Sequence, residues 1–442
     1  MMKVNIFVFL FFNFILFIKT QDTKNIFEDN KDIRFCGAGL LKNEIKISSI
    51  ISKKHKLNPS RKLSTQFSPI RIILDTSDFE ETGNQLPEIK DKIPILKKAM
   101  IKAVNALKDI LEVENYGDDI FGDLNQAIFN QYKIKKWNPV FDDTSNIPAD
   151  LIILAKFEEE GEFPQGVLAA AMPILLYTLT NRPIVGLLSV SRSSSFYSYT
   201  HIKEYFSVVF LHELTHALGF LESMYPYFPQ GYNNIIMQKK IRGKTRTLIK
   251  TPKVVERARK YFNCYTLEGL ELEDQGGPGS SMSHWEQRIL LGDYMGAVVY
   301  QEELAISEFT LAFLEDSGWY RPKYYTGGLF RFGKNQGCKF IENDCLDQDL
   351  KTEFKNEFFD SSNAWTPSCS TGRQSRTYAS INNYYTIEEE YNWLKNNIGG
   401  SIYTADYCPI NGQIIAEVGY NYFYGNCKYG NKNFGSYISY IN

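Results

Sequence analysis

Leu211-His212-Glu213-Leu214-Thr215-His216-Ala217-Leu218-Gly219-Phe220 decides how the rest of this chain is read. Two imidazoles stand four residues apart with a carboxylate beside the first, the H-E-x-x-H arrangement of zinc-dependent hydrolases. A helix of about 3.6 residues per turn brings positions i and i+4 onto one face, roughly 6 Å apart along its axis. Two ring nitrogens so placed can converge on one metal ion at about 2.0–2.1 Å. Glu213 then projects beside the metal, close enough to take a proton from water without being a ligand. The chain has only five histidines, so this spacing is not a by-product of abundance. The bland alternative is an amphipathic core helix carrying two histidines. It leaves buried ring nitrogens to share protons or go unsatisfied, which costs stability.

The elements around the motif predict an α+β chain. Apolar residues at helical spacing run from Pro94 to Leu111, and again from about Ile202 through Leu218, where they carry the two histidines. Gly219 follows, where a chain leaving a helix often needs a left-handed residue. Strand-like runs start at Ile70, at Ala149–Ala155 and at Arg182–Val190, the last with Pro183 near its start, as an edge strand tolerates. Downstream, 235–249 reads as a β-hairpin turning at Arg242-Gly243-Lys244. Its Lys239, Lys240, Arg242, Lys244 and Arg246 are expected on a solvated face. Thr251-Pro252 is an N-cap with proline at the first helical position, opening a helix through Tyr261. Gln275–Ser281 is a turn-rich loop leading to His284, and helical periodicity returns over Ile306–Trp319.

Composition sets the compartment. With 49 basic against 51 acidic residues, nothing points to nucleic acid or an anionic membrane as partner. Residues 1–20 have a short basic start and an apolar run over Val4–Ile18, which suits a secretory signal peptide better than a membrane span. Residues 21–65 are polar and lysine-rich, as in a pro-segment. Seven cysteines, five of them after residue 330, read as a disulfide framework with one left over, Cys36 being the isolated one. If Cys36 is removed on maturation, the remaining six allow 15 pairings that sequence cannot choose between.

Catalytic zinc usually takes three protein ligands and leaves a fourth position for water. Gly219, three residues past His216, extends the motif to the metzincin form H-E-x-x-H-x-x-G. Most metzincins place the third histidine soon after that glycine, but here Phe220, Leu221 and Glu222 follow and the next histidine is His284. Glu222, six residues past His216, falls short of thermolysin-like spacing and is set aside. With its distant third histidine, the chain resembles the leishmanolysin-type metzincins. The matching segments are His212-Glu213-x-x-His216-x-x-Gly219-Phe220, Tyr261-Phe262-Asn263-Cys264, Glu271–Gly277 and Ser283-His284-Trp285-Glu286, with Thr310–Trp319 and Ala405–Pro409 beyond.

That resemblance implies a metzincin-type catalytic domain with an inserted domain between the second and third zinc histidines. A cysteine-containing C-terminal domain completes it. The implied boundaries are 66–222 for the N-terminal catalytic part, 223–320 for the inserted part with third ligand and Met-turn, and 321–442 for the C-terminal part. It implies one Zn2+ held by His212, His216 and His284, Met295 as the apolar floor of the site, and Glu213 as general base in peptide hydrolysis. It also implies protein or peptide substrates bound extended along an edge strand, taken to be Arg182–Val190, where Gly186 allows close backbone approach. Cys36 has two readings, a thiolate that blocks the metal's fourth position in a zymogen, or a plain disulfide partner or free thiol. A rival class is a cell-surface adhesion protein using the same fold, for which Glu213 would be dispensable. Secretion and cell-surface or membrane association both remain open.

Overall fold

The computed structural model describes residues 66–410 apart from 164–165, 194–196, 198–201, 278–279, 299–303, 325–329 and short stretches between 361 and 401. The expected signal peptide, pro-segment, Cys36, His55 and His201 lie outside the described residues. The first half folds around a four-stranded sheet of β2 (Ile72–Asp75), β4 (Leu151–Phe157), β5 (Ala169–Leu176) and β6 (Pro183–Val190), in the order β2-β4-β6-β5. β2, β4 and β6 run parallel, and β5 closes one side antiparallel to β6. Every residue of β4, β5 and β6 is buried, so these strands are near-continuous apolar runs, interrupted by Lys156 and Ser189, rather than alternations.

Two long helices pack on this sheet. α2 (Ile93–Ile110) starts with Pro94 in its first turn, where the missing N–H has no intrahelical partner to lose. It follows α1 (Ser77–Asn84) and packs against α3 (Ile202–Ala217), the helix with the histidine motif. A second sheet joins distant parts of the chain: β3 (Leu111–Glu114) pairs with β1 (Phe67–Pro69) on one side and β10 (Arg321–Pro322) on the other.

Two sequence expectations are corrected here. Arg182–Val190 is an interior strand, β6, flanked by β4 and β5, and the edges of the sheet are β2 and β5. Pro183 is tolerated because it sits at the very end of the ladder, opposite Leu176. Gly186 does permit a close approach, but of the active-site helix: a Cβ there would lie 2.9 Å from that of Ala217.

The basic hairpin differs from expectation too. It forms as read, β7 (Ile236–Ile241) with β8 (Lys244–Ile249), turning through Arg242 and Gly243, both at positive φ. Yet Arg242 and Arg246 are not solvated, because their side chains are buried against carboxylates. β8 also pairs with β9 (Leu270–Glu271). The helix after the hairpin, α4 (Pro252–Phe262), has Thr251 at its N-cap, but the capping carboxylate is Asp316, which accepts from the N–H groups of Lys253 and Val254. Asp316 ends α5 (Glu308–Asp316), itself capped by Ser307. Disulfides join Cys264 to Cys338 and Cys345 to Cys408.

Candidate active site

α3 delivers His212 and His216 from one face, one turn apart, and His284 reaches them from an extended segment 68 residues further on. That segment is held between two neighbours. On one side Glu273 N–H donates to the His284 carbonyl and Glu286 N–H to that of Glu271; on the other, Trp285 N–H donates to the Met295 carbonyl. All three histidines are buried to within 1% exposure, as is Glu213.

The three Nε2 atoms form a nearly equilateral triangle with sides of 3.1, 3.2 and 3.2 Å. Each ring's other nitrogen faces a backbone carbonyl at 2.6 Å: Tyr294 for His212, Phe220 for His216 and Ser280 for His284. A carbonyl only accepts, so each Nδ1 carries the proton and each Nε2 presents a lone pair to the other two. Three lone pairs converging in a dry interior repel one another unless a cation sits among them. The observed sides match the roughly 3.3 Å separation of ligands on a tetrahedral ion with about 2.05 Å bonds. Burial lowers the His212 pKa to about 4, which keeps the ring in the neutral form that metal ligation needs. The residues present fit a zinc ion.

The carbonyl partners are what sequence reasoning missed. Tyr294 holds α3 twice, by its carbonyl on His212 and by its hydroxyl, 2.9 Å from Thr215 Oγ1. Asp293 fixes that turn: its carboxylate accepts from Met295 N–H at 2.6 Å, Ser307 N–H at 3.3 Å and Thr310 Oγ1 at 3.1 Å. Met295 follows directly, fully buried. Tyr294 and Asp293 carry no motif, but their adjacency to a predicted Met-turn was the available signal. Glu222 opens a 3₁₀ turn and donates its N–H to Ser283 Oγ, outside the histidine cluster.

Gly219 and Phe220 close the other end. Gly219 takes φ +118°, and a Cβ there would lie 2.7 Å from the Trp319 ring. Only glycine lets the chain reverse so tightly that the Phe220 carbonyl returns to His216.

Comparison with known proteins agrees with this geometry. The family model for leishmanolysin, peptidase family M8, matches residues 86–421. A leishmanolysin-like peptidase of Drosophila melanogaster is 34% identical over 171 residues, covering 31% of this chain and 25% of the fly protein. One from Caenorhabditis elegans is 28% identical over 285 residues, 52% of this chain and 43% of the worm protein. Leishmanolysin of Leishmania tropica is 28% identical over 253 residues, 56% and 36% respectively. The chain thus spans well under two thirds of each relative's length. With the match covering most of the sequence and the three histidines drawn into one metal-binding cluster, the chain belongs to the leishmanolysin peptidase family.

Proposed function

We propose that this protein is an extracellular zinc endopeptidase. The observation that carries the reading is the Nε2 triangle, with all three Nδ1–H groups committed to carbonyls. His212, His216 and His284 are its metal ligands. Zinc bound there supplies Lewis acidity toward the scissile carbonyl and makes a nearby water more acidic. Glu213, adjacent in sequence to a ligand and on the same helix, takes the proton of the attacking water and passes it to the departing amine. Substrate lies extended across the metal site, its backbone hydrogen-bonding in the manner of an added strand.

The two disulfides favour an oxidising, non-cytosolic compartment. No helix among the described residues is long and apolar enough to cross a membrane. Residues 1–20 act as the secretory signal and 21–65 as a pro-segment in this reading. The domain boundaries 66–222, 223–320 and 321–442 belong to it too.

The test is hydrolysis of casein or a peptide library by matured wild type, by Glu213→Ala and after exhaustive chelation. Activity should disappear in both treatments, while Glu213→Ala still binds one zinc per chain. Equal activity in wild type and Glu213→Ala sinks the mechanism.

A further inference from the structure

The third ligand stands on a segment that has its own electrostatic foundation, and that foundation is completed from far downstream. Arg246 on β8 spans four carboxylates. Its guanidinium lies 2.8 Å from Asp274, 2.8 Å from Asp406, 3.7 Å from Glu286 and 3.8 Å from Glu271. Arg242, at the hairpin turn, bonds Glu271 at 3.0 Å and stands 3.7 Å from the same Asp406 oxygen. Arg242, Arg246, Glu271, Glu286 and Asp406 all have side chains within 1% of full burial. In such a setting charges are weakly screened, so each guanidinium sits where the balance of carboxylates puts it.

Two of these carboxylates belong to the ladder that carries His284. Glu271 accepts through its carbonyl from Glu286 N–H. Glu286, two residues past His284, caps the next turn through Arg288 N–H at 3.0 Å. Asp406 does not belong to the ladder. It is 160 residues from Arg246 in sequence. A 3₁₀ turn over Tyr403–Ala405 and a left-handed φ of 56° present it, and Cys408, two residues on, is tied to Cys345. Thr404 of the same turn bonds Gln287.

We infer that Asp406 is a positioning residue for the third metal ligand, acting through Arg246 and Arg242 on the segment that bears His284. The inference rests on the reading of His284 as a ligand. Without the Asp406 charge the two arginines draw on Glu271, Glu286 and Asp274, and Glu286 is pulled from its cap toward Arg246. His212 and His216 are fixed by their helix and do not feel this. His284 alone shifts, and metal affinity falls because the lone pairs no longer meet at one point.

The experiment measures zinc affinity of the metal-stripped full chain by competition with a chromophoric chelator. It also records the visible spectrum with Co2+ in place of zinc, and thermal unfolding without metal. Asp406→Asn should bind zinc about ten-fold more weakly, the scale of lost support around a ligand, with an altered cobalt spectrum. Asp406→Glu should recover most of the affinity. Glu357→Gln breaks the ion pair that the buried Glu357 makes with the partly exposed Arg373; it should lower the unfolding temperature and leave affinity unchanged. Wild-type affinity in Asp406→Asn overturns the inference, and so does an equal loss in Glu357→Gln. If Asp406→Asn fails to fold, Arg246→Lys, which keeps the charge but loses the fork, must show the same loss of affinity. Wild-type affinity there overturns the inference as well. Failure of the ligand reading looks different: wild type binds no zinc, or His284→Ala binds it as tightly as wild type.

Discussion

His216 donates its Nδ1–H to the carbonyl of Phe220, four residues on, at 2.6 Å. The bond exists because Gly219 between them turns at φ +118° with the Trp319 ring against its α-carbon. One glycine therefore ends the helix, seats a tryptophan and fixes the tautomer of a ligand. Gly219→Ala should destabilise the fold by about 1–3 kcal/mol through backbone strain alone, read by denaturant unfolding. It should also weaken zinc binding in a chelator competition. An alanine variant with unchanged zinc affinity would show that the turn serves packing only.

Ligand and base should separate cleanly. His284→Ala is expected to lose zinc and activity together. Glu213→Gln should keep zinc and lose roughly 10²–10⁴-fold in turnover, the range for removing a general base. Metal content by atomic absorption beside kcat distinguishes the two.

Asp293 gives the fold a pH dependence of its own. Burial pushes its carboxyl up to about 6, above the ~3.9 of an unfolded chain. The folded state holds the proton more tightly, so this contribution to stability is complete below about pH 4 and is lost as pH rises through 6. Stability of wild type relative to Asp293→Asn should fall by on the order of 2–3 kcal/mol between pH 4 and 7. Parallel curves for the two proteins would refute this.

The Cys264–Cys338 bridge is expected to contribute about 2–5 kcal/mol. Replacing both cysteines by serine should lower the denaturant midpoint accordingly, and reduction of wild type, which also opens Cys345–Cys408, should lower it further.

Much of the fold was legible because helical periodicity is a strong signal: α2, α3, α4 and α5 fall within a few residues of their expected spans, and the 235–249 hairpin turns where its glycine stands. β5 escaped notice. Ala169-Ala170-Ala171 and Pro173 have poor strand propensity, and only pairing with β6 makes them a strand. The same omission made β6 look like the edge. Arg242 and Arg246 read as solvated because their carboxylate partners come from Glu271, Asp274, Glu286 and Asp406, contacts that no local pattern announces. The histidines were plain in the sequence, but the carbonyls that orient them were not. A backbone carbonyl is the same on every residue, so Tyr294, Phe220 and Ser280 have no signature of type.

The Cys264–Cys338 loop encloses His284, whereas His212 and His216 lie outside it. A metal ion held by all three histidines therefore acts as a second staple. It closes the 68-residue stretch between His216 and His284, a loop-closure contribution on the order of 4 kcal/mol when treated like a crosslink. The two closures interlock, one covalent and one coordinate. An oxidised chain without metal and a metallated chain without the disulfide are each left half-fastened, and the midpoint should rise most when both fasteners are present together.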